Sequence, residues 1–192
     1  MPSLDELLAP RLDPVPATWP ASELRHAAVL APLIALGGVD HLLFTVRPGT
    51  LRRHAGQIGF PGGMQSGVED PRGAALRECE EEIGVPASAV TILGALRSRV
   101  SSSRILVQCL VARVQPVDLE LDADEVERVL YVPVAELRDE TRWAERPPPI
   151  RVSGTSPPAS PHFRHGDDLV WGLTGRFVRE FVERLAGGEV RT

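Results

Sequence analysis

An α/β domain is what this sequence predicts, on three observations. Five apolar runs have the length and residue types of β-strands, and two segments carry helical spacing between start and stop signals. The composition is the third: 192 residues, 43% hydrophobic and 24% charged, suit one soluble domain with a substantial core. The expected organisation is an N-terminal arm over residues 1–24, rich in proline, followed by a single domain over residues 25–192.

In chain order, strands are expected at residues 28–36, 41–46, 90–96, 105–114 and 129–132, where β-branched and leucine side chains cluster. A short helix is expected near residues 134–139 and an amphipathic helix over residues 173–185. Residues 147–161, rich in proline and serine, read as a loop. In the stretch LVWGLTGRF that follows, Trp171 is expected to pack in the core. There is no internal repeat.

The remaining helix is framed most sharply. Asp70 can cap the first turn, Pro71 sits where a missing N–H costs nothing, Gly84 can close the helix in a left-handed conformation, and Pro86 cannot continue it. The helix therefore spans residues 71–83. At ~100° per residue, Glu82 lies about 40° to one side of Glu78 and Glu81 about 60° to the other, so all three share a face. Leu76, Cys79 and Ile83 form the expected core stripe, and Glu80 is left to solvent. Like charges at this spacing repel, and acids in a last turn oppose the helix dipole. A hard divalent cation offsets both effects, since Mg²⁺ prefers carboxylate, water and phosphate oxygens. Three glutamates alone favour a plain acidic surface helix; the residues around them reverse that preference.

The segment GMQSGVEDPRGAALRECEEEIGV, residues 63–85, resembles the Nudix box. That pattern is Gly, five residues, Glu, seven residues, then Arg-Glu-aliphatic-any-Glu-Glu-any-Gly-aliphatic. Gly63, Glu69, Arg77, Glu78, Glu81, Glu82 and Gly84 hold its fixed places, with Val85 last and Cys79 at an aliphatic position. The resemblance implies a Nudix fold, an α/β/α sandwich around a mixed β-sheet, and hydrolysis of a nucleoside diphosphate linked to another moiety. It implies Mg²⁺ or Mn²⁺ as cofactor, with Glu78 and Glu82 as ligands and Glu81 as a further ligand or the base on water. Glu69 is expected to hold Arg77 by an ion pair. A further acid from outside the box often joins in such enzymes; Glu125 is the choice in LDADEVERVLYVPVAEL, with Asp124 and Glu127 as rivals.

Directly before the box, LLFTVRPGTLRRHAGQIGFPGG resembles the signature of coenzyme A pyrophosphatases within that superfamily. Thr45, Arg47, Arg52, Gly56, Phe60, Pro61, Gly62 and Gly63 match it; Phe44 replaces a leucine and Pro48 a small residue. Coenzyme A carries a 3′-phosphate besides its diphosphate, so its recognition calls for extra cations. Arg47, Arg52, Arg53 and His54 can supply them, Gln57 can donate an amide hydrogen bond, and the Gly62 and Gly63 backbone can approach phosphate. Which arginine meets which phosphate stays open.

The expected partner is thus a small molecule, coenzyme A or a derivative. A net charge of −5 argues against a nucleic-acid backbone as the main ligand, and no apolar run is long enough for a bilayer. Neither Cys79 nor Cys109 suggests a disulfide or a zinc site, and no secretory signal is recognised, so a cytoplasmic location is expected. Oligomeric state is not readable. The leading function is hydrolysis of coenzyme A or its thioesters to adenosine 3′,5′-bisphosphate and 4′-phosphopantetheine or its acyl form. The alternatives are a Nudix pyrophosphatase acting on ADP-ribose or another nucleoside diphosphate derivative, and a noncatalytic ligand sensor.

Overall fold

The computed structural model describes residues 2–50, 56–149 and 158–187. Its strands are β1 (Arg25–Leu36), β2 (Val39–Val46), β3 (Ile58–Gly59), β4 (Gly62–Met64), β5 (Val90–Ala95), β6 (Arg99–Val100), β7 (Ile105–Val114), β8 (Arg128–Pro133), β9 (Trp143–Arg146), β10 (Ser160–His165) and β11 (Asp168–Val170). The helices are α1 (Leu4–Leu8), α2 (Pro71–Ile83), α3 (Val134–Leu137) and α4 (Gly172–Ala186).

β1 organises the sheet. It runs parallel to β7 from the pair Arg25 and Ile105 to the pair Ile34 and Val114, and antiparallel to both β2 and β4. β5 and β6 add to β7, while β3 and β8 add to β2, so the sheet is mixed around one parallel pair. A second sheet of three strands has the order β11-β10-β9.

Alternation along the strands splits the interior into two cores. Ala31 and Leu33 of β1, Leu42 and Phe44 of β2 and Cys109 and Val111 of β7 face one side. Ala28, Leu30 and Ile34, with Leu43, Leu110 and Ala112, face the other. A sheet buried on both faces needs a layer on each, which is the sandwich the sequence implied. On the first side α4 buries Phe177, Val178, Phe181, Val182 and Leu185 at helical spacing. On the second, α2 packs through Ala74, Ala75, Cys79 and Ile83. The alanines bring this helix close to β1; Leu76, expected in the core stripe, is only half-buried.

The arm is tied to the domain. Ser3 and Glu6 form a capping box on α1, and Leu8 is fully buried. Arg113 of β7 bonds both Asp5 and Asp40, and Asp13 pairs with Ala95. Arg184 of α4 donates to the Arg11 carbonyl at 2.6 Å and to Asp13 at 2.8 Å. It also bonds Glu180, whose buried carboxylate is further satisfied by Arg99 and by the Arg97 N–H.

All five strands and all three helices expected from sequence are present, with the short helix ending at Leu137. Strands β3, β4 and β6 are too short for periodicity to reveal, and β9 to β11 mix polar and apolar residues on both faces. Trp171, expected in the core, is half-buried with its ring tilted against His162 at 6.1 Å.

Leu8→Ala tests whether the arm belongs to the folding unit. It is expected to lower the unfolding free energy by about 2–5 kcal/mol in a denaturant titration, as for other buried leucines.

Candidate active site

Helix α2 forms where its signals placed it. The Asp70 side chain accepts from the Gly73 N–H at 2.7 Å, Pro71 occupies the first turn, and Gly84 ends the helix at φ 71°. The chain then returns across this end: the Glu120 N–H donates to the Ile83 carbonyl at 3.2 Å and the Asp122 N–H to the Glu82 carbonyl at 3.0 Å. Those bonds satisfy helix-end carbonyls that would otherwise lack partners. The same turn brings residues 120–127 beside the acidic face.

Arg77 is the hub of that face. Its Nε and Nη2 donate to the two oxygens of Glu69 at 3.1 and 2.8 Å, and Nη1 donates to Glu78 at 2.9 Å and to Glu81 at 2.8 Å. Nη2 also meets the Met64 carbonyl at 3.0 Å. The hydrogen bond from Arg77 holds the Glu69 carboxyl below its usual range, and these partners fix the guanidinium in its charged form. The expected pair of Glu69 with Arg77 is therefore formed.

Arg77 leaves one glutamate out. Glu82 is only 4% exposed, and among the described residues its carboxylate accepts from the Gly62 N–H at 3.2 Å. Burial, opposed by that bond and reinforced by the charges of Glu125 and Glu78, pushes its pKa up to about 7. Burial likewise raises Glu78, against the pull of Arg77. Glu81 points outward, with 59% of its side chain exposed. The shared face of the helical wheel thus divides into one buried, one half-buried and one exposed acid.

Glycines 62 and 63 make room for this arrangement in different ways. A Cβ on Gly62 would sit 2.3 Å from the Ala28 carbonyl oxygen, so the requirement is the β1–β4 contact itself. One on Gly63 would sit 2.4 Å from the Glu78 carboxylate. There the backbone leaves space for a side chain of the acid cluster.

Among the three acids outside the box, Glu125 is the one whose charge acts on both Glu78 and Glu82, and it lies 4.0 Å from Arg47. Glu127 is engaged elsewhere, accepting from the Gly49 N–H at 3.2 Å, and Asp124 is exposed. A cleft of about 170 Å³ opens at this point, lined by Thr45, Arg47, Gln57, Gly62, Glu82 and Thr174. It unites the β2–β3 hairpin, the box and the start of α4. Thr174 was not singled out from sequence, though it lies in the stretch LVWGLTGRF; nothing local distinguishes its hydroxyl from any other helix threonine. Arg52, Arg53 and His54 lie outside the described residues.

The buried carboxyl of Glu82, with Glu78 and Glu125 near it and Arg47 only partly offsetting them, is the chemistry that a hard cation balances, and Glu78 beside it offers a second oxygen ligand. Among the described residues, no three side chains of ligating type are drawn together as a metal-holding group. Glu81, expected to complete such a set, shares the Arg77 Nη1 with Glu78, each through one carboxylate oxygen. A larger cavity of about 330 Å³, between α4 and β9, includes Arg99, Trp143 and Glu180 and stands apart from these acids.

A model of the NUDIX domain matches residues 24–151. The chain belongs to the Nudix family. An uncharacterized Nudix hydrolase, NudL, of Photorhabdus laumondii is 34% identical over 168 residues, covering 84% of this chain and 85% of the relative. Human mitochondrial coenzyme A diphosphatase NUDT8 is 34% identical over 167 residues, covering 84% and 70%. The solved structure of the Nudix hydrolase RenU from M. smegmatis superposes with a TM-score of 0.51 at 21% identity, over 60% of this chain and 74% of that one, and agrees in fold. This chain is a Nudix hydrolase acting on pyrophosphate bonds. Nudix hydrolases in general use divalent metal ions such as Mg²⁺ or Mn²⁺. Among the described residues, no helix is long and apolar enough to cross a membrane.

Two outcomes follow from the geometry of this Nudix site. Gly63→Ala is expected to fold, because the Glu78 side chain can swing away, but to lose turnover on the order of 100-fold through misplacement of that acid; circular dichroism and initial rates check both halves. Glu82 binds its proton more tightly folded than unfolded, where its pKa is 4.5, so the metal-free protein should lose stability as pH rises from about 4.5 to about 7. Glu82→Gln should flatten that window in thermal melts.

Proposed function

We propose that this Nudix hydrolase cleaves the diphosphate of coenzyme A, and of its acyl thioesters, to adenosine 3′,5′-bisphosphate and 4′-phosphopantetheine or its acyl form. The observation that carries the reading is the cleft, where Thr45 and Arg47 of the coenzyme A type pattern, with Gln57 between them and the box, stand beside Glu82. The coenzyme A diphosphatase among its relatives supports the same substrate.

At about 170 Å³ the cleft is smaller than the ~300–1,000 Å³ usual for small-molecule sites, so it suits the diphosphate itself while the rest of the substrate extends beyond. Arg47 offers its guanidinium to the phosphate oxygens, and the Gln57 amide and Thr174 hydroxyl line the same space. Arg52, Arg53 and His54, which follow Arg47 in sequence, are assigned to the 3′-phosphate. Glu82 and Glu78 would hold Mg²⁺ or Mn²⁺, with Glu81 as a further ligand once released from Arg77. Such a cation neutralises diphosphate charge and lowers the pKa of an attacking water. Glu125, or Glu81 where it does not serve as a ligand, is assigned to taking the proton from that water. Arg77 and Glu69 keep the helix acids in place, and the Gly62 and Gly63 backbone lies along the substrate.

The test is to incubate the purified protein and Mg²⁺ or Mn²⁺ with coenzyme A, dephospho-coenzyme A, ADP-ribose and NADH, and to identify products by mass. Coenzyme A should be cleaved fastest and dephospho-coenzyme A more slowly. Equal rates on the two, or a preference for ADP-ribose, would move the substrate to another nucleoside diphosphate derivative; binding without products would favour a sensor. Glu82→Gln should greatly reduce turnover at saturating Mg²⁺ while the protein stays folded.

A further inference from the structure

The loop that presents Glu69 is held from two sides, by Trp19 from outside the Nudix box and by Gln65 at a place the box pattern leaves free. The Glu69 carbonyl accepts from the Trp19 indole N–H at 2.7 Å and from the Gln65 side-chain amide at 3.4 Å. That amide also donates to the Gly67 carbonyl at 3.3 Å, and the Ser66 N–H closes the turn onto the Glu69 carboxylate at 2.6 Å. Gln65 is anchored in turn to β1, its N–H donating to the His26 carbonyl at 3.0 Å and its Oε1 lying 3.3 Å from the His26 Nδ1. Because a side-chain amide oxygen only accepts, His26 carries its proton on Nδ1 in this bond.

Trp19 completes the frame from the arm. Its ring lies flat on the His26 imidazole, with centroids 5.0 Å apart and planes 9° from parallel. The stack fixes the angle at which the indole N–H meets the Glu69 carbonyl. Rigid-body reach from there is short: the Glu69 carboxylate grips two nitrogens of Arg77, and Arg77 grips Glu78 and Glu81.

We propose that Trp19 of the N-terminal arm is a positioning residue for the acid cluster, acting through the Glu69 backbone and Arg77 on Glu78 and Glu81. Its N–H meets the Glu69 backbone carbonyl rather than the carboxylate; its effect is to hold the loop from which Arg77 is oriented. The catalytic part of the inference rests on the proposed hydrolysis, whereas the part concerning metal affinity does not.

The test uses the full chain with Trp19→Phe, which keeps a flat ring over His26 and removes the N–H. A second variant carries 3-benzothienylalanine at position 19, which keeps both rings and replaces the N–H by sulfur. Each is compared with wild type, with Glu69→Ala, and with the double variant. Mn²⁺ affinity is measured by calorimetry without substrate, and kcat and KM on the diphosphate that wild type hydrolyses. Loss of one hydrogen bond should weaken Mn²⁺ binding and lower kcat by about 3–10-fold, with KM changed less than about twofold and the melting temperature lowered by no more than about 2–4 °C. In the Glu69→Ala background the same change at Trp19 should add almost nothing, since its route is already cut. Unchanged Mn²⁺ affinity and kcat in both Trp19 variants, or a full additional loss in the Glu69→Ala background, would overturn the proposal. If wild type binds Mn²⁺ but hydrolyses none of the diphosphates, the proposed function fails while the calorimetric comparison still decides the role of Trp19. Wild-type protein that binds no Mn²⁺ overturns both.

Discussion

The guanidinium of Arg77 is the fixed point of this molecule. It takes Glu69, Glu78 and Glu81 into one array of charged hydrogen bonds and reaches the Met64 carbonyl of β4 as well. Without it, three carboxylates would crowd one helix face near its negative end, and α2 would lose one of its polar ties to β4. Glu82, left out of that array, buries its charge under Gly62 and carries the unbalanced part of the electrostatics. Stability and reactivity are therefore divided between neighbouring residues: Arg77 neutralises the frame, and Glu82 lies outside it against Gly62.

The sheet makes that division possible. β4 brings Gly62 and Gly63 against β1 at Val29 and Ala28, and the alanines of α2 let the helix settle close on the same strand. Backbone and carboxylate then meet at distances that only a residue without Cβ permits. The return of the chain past Gly84 serves two ends at once, closing the carbonyls of α2 and delivering Glu125 beside Arg47.

What the sequence disclosed follows the range of the forces involved. The span of α2 was legible because Asp70, Pro71 and Gly84 act on their own neighbours. Strands β1, β2, β5, β7 and β8 were legible because each carries a long apolar run. β9, β10 and β11 were hidden, since their order comes from pairing with one another, and runs such as WAER and SPHFRH carry no alternation. The same limit applied to the site. The wheel put Glu78, Glu81 and Glu82 together, yet their differing burial depends on Gly62 and Arg77, and Thr174 joins the cleft only because α4 begins beside the β2–β3 hairpin. Trp19 was invisible for the same reason: its partner is a backbone carbonyl 50 residues away.

The one parallel pair has a consequence for the order of assembly. β1 can find β2 through a short hairpin, but its other partner, β7, begins at Ile105, some eighty residues after β1 begins. Closing so long a loop is slow, and parallel pairing returns little until it is made. During synthesis the first strand must therefore wait, one edge bare, until residue 114 has left the ribosome. A chain stalled before that point would present an unpaired apolar edge to its neighbours, which makes the interval between β2 and β7 the period of greatest aggregation hazard.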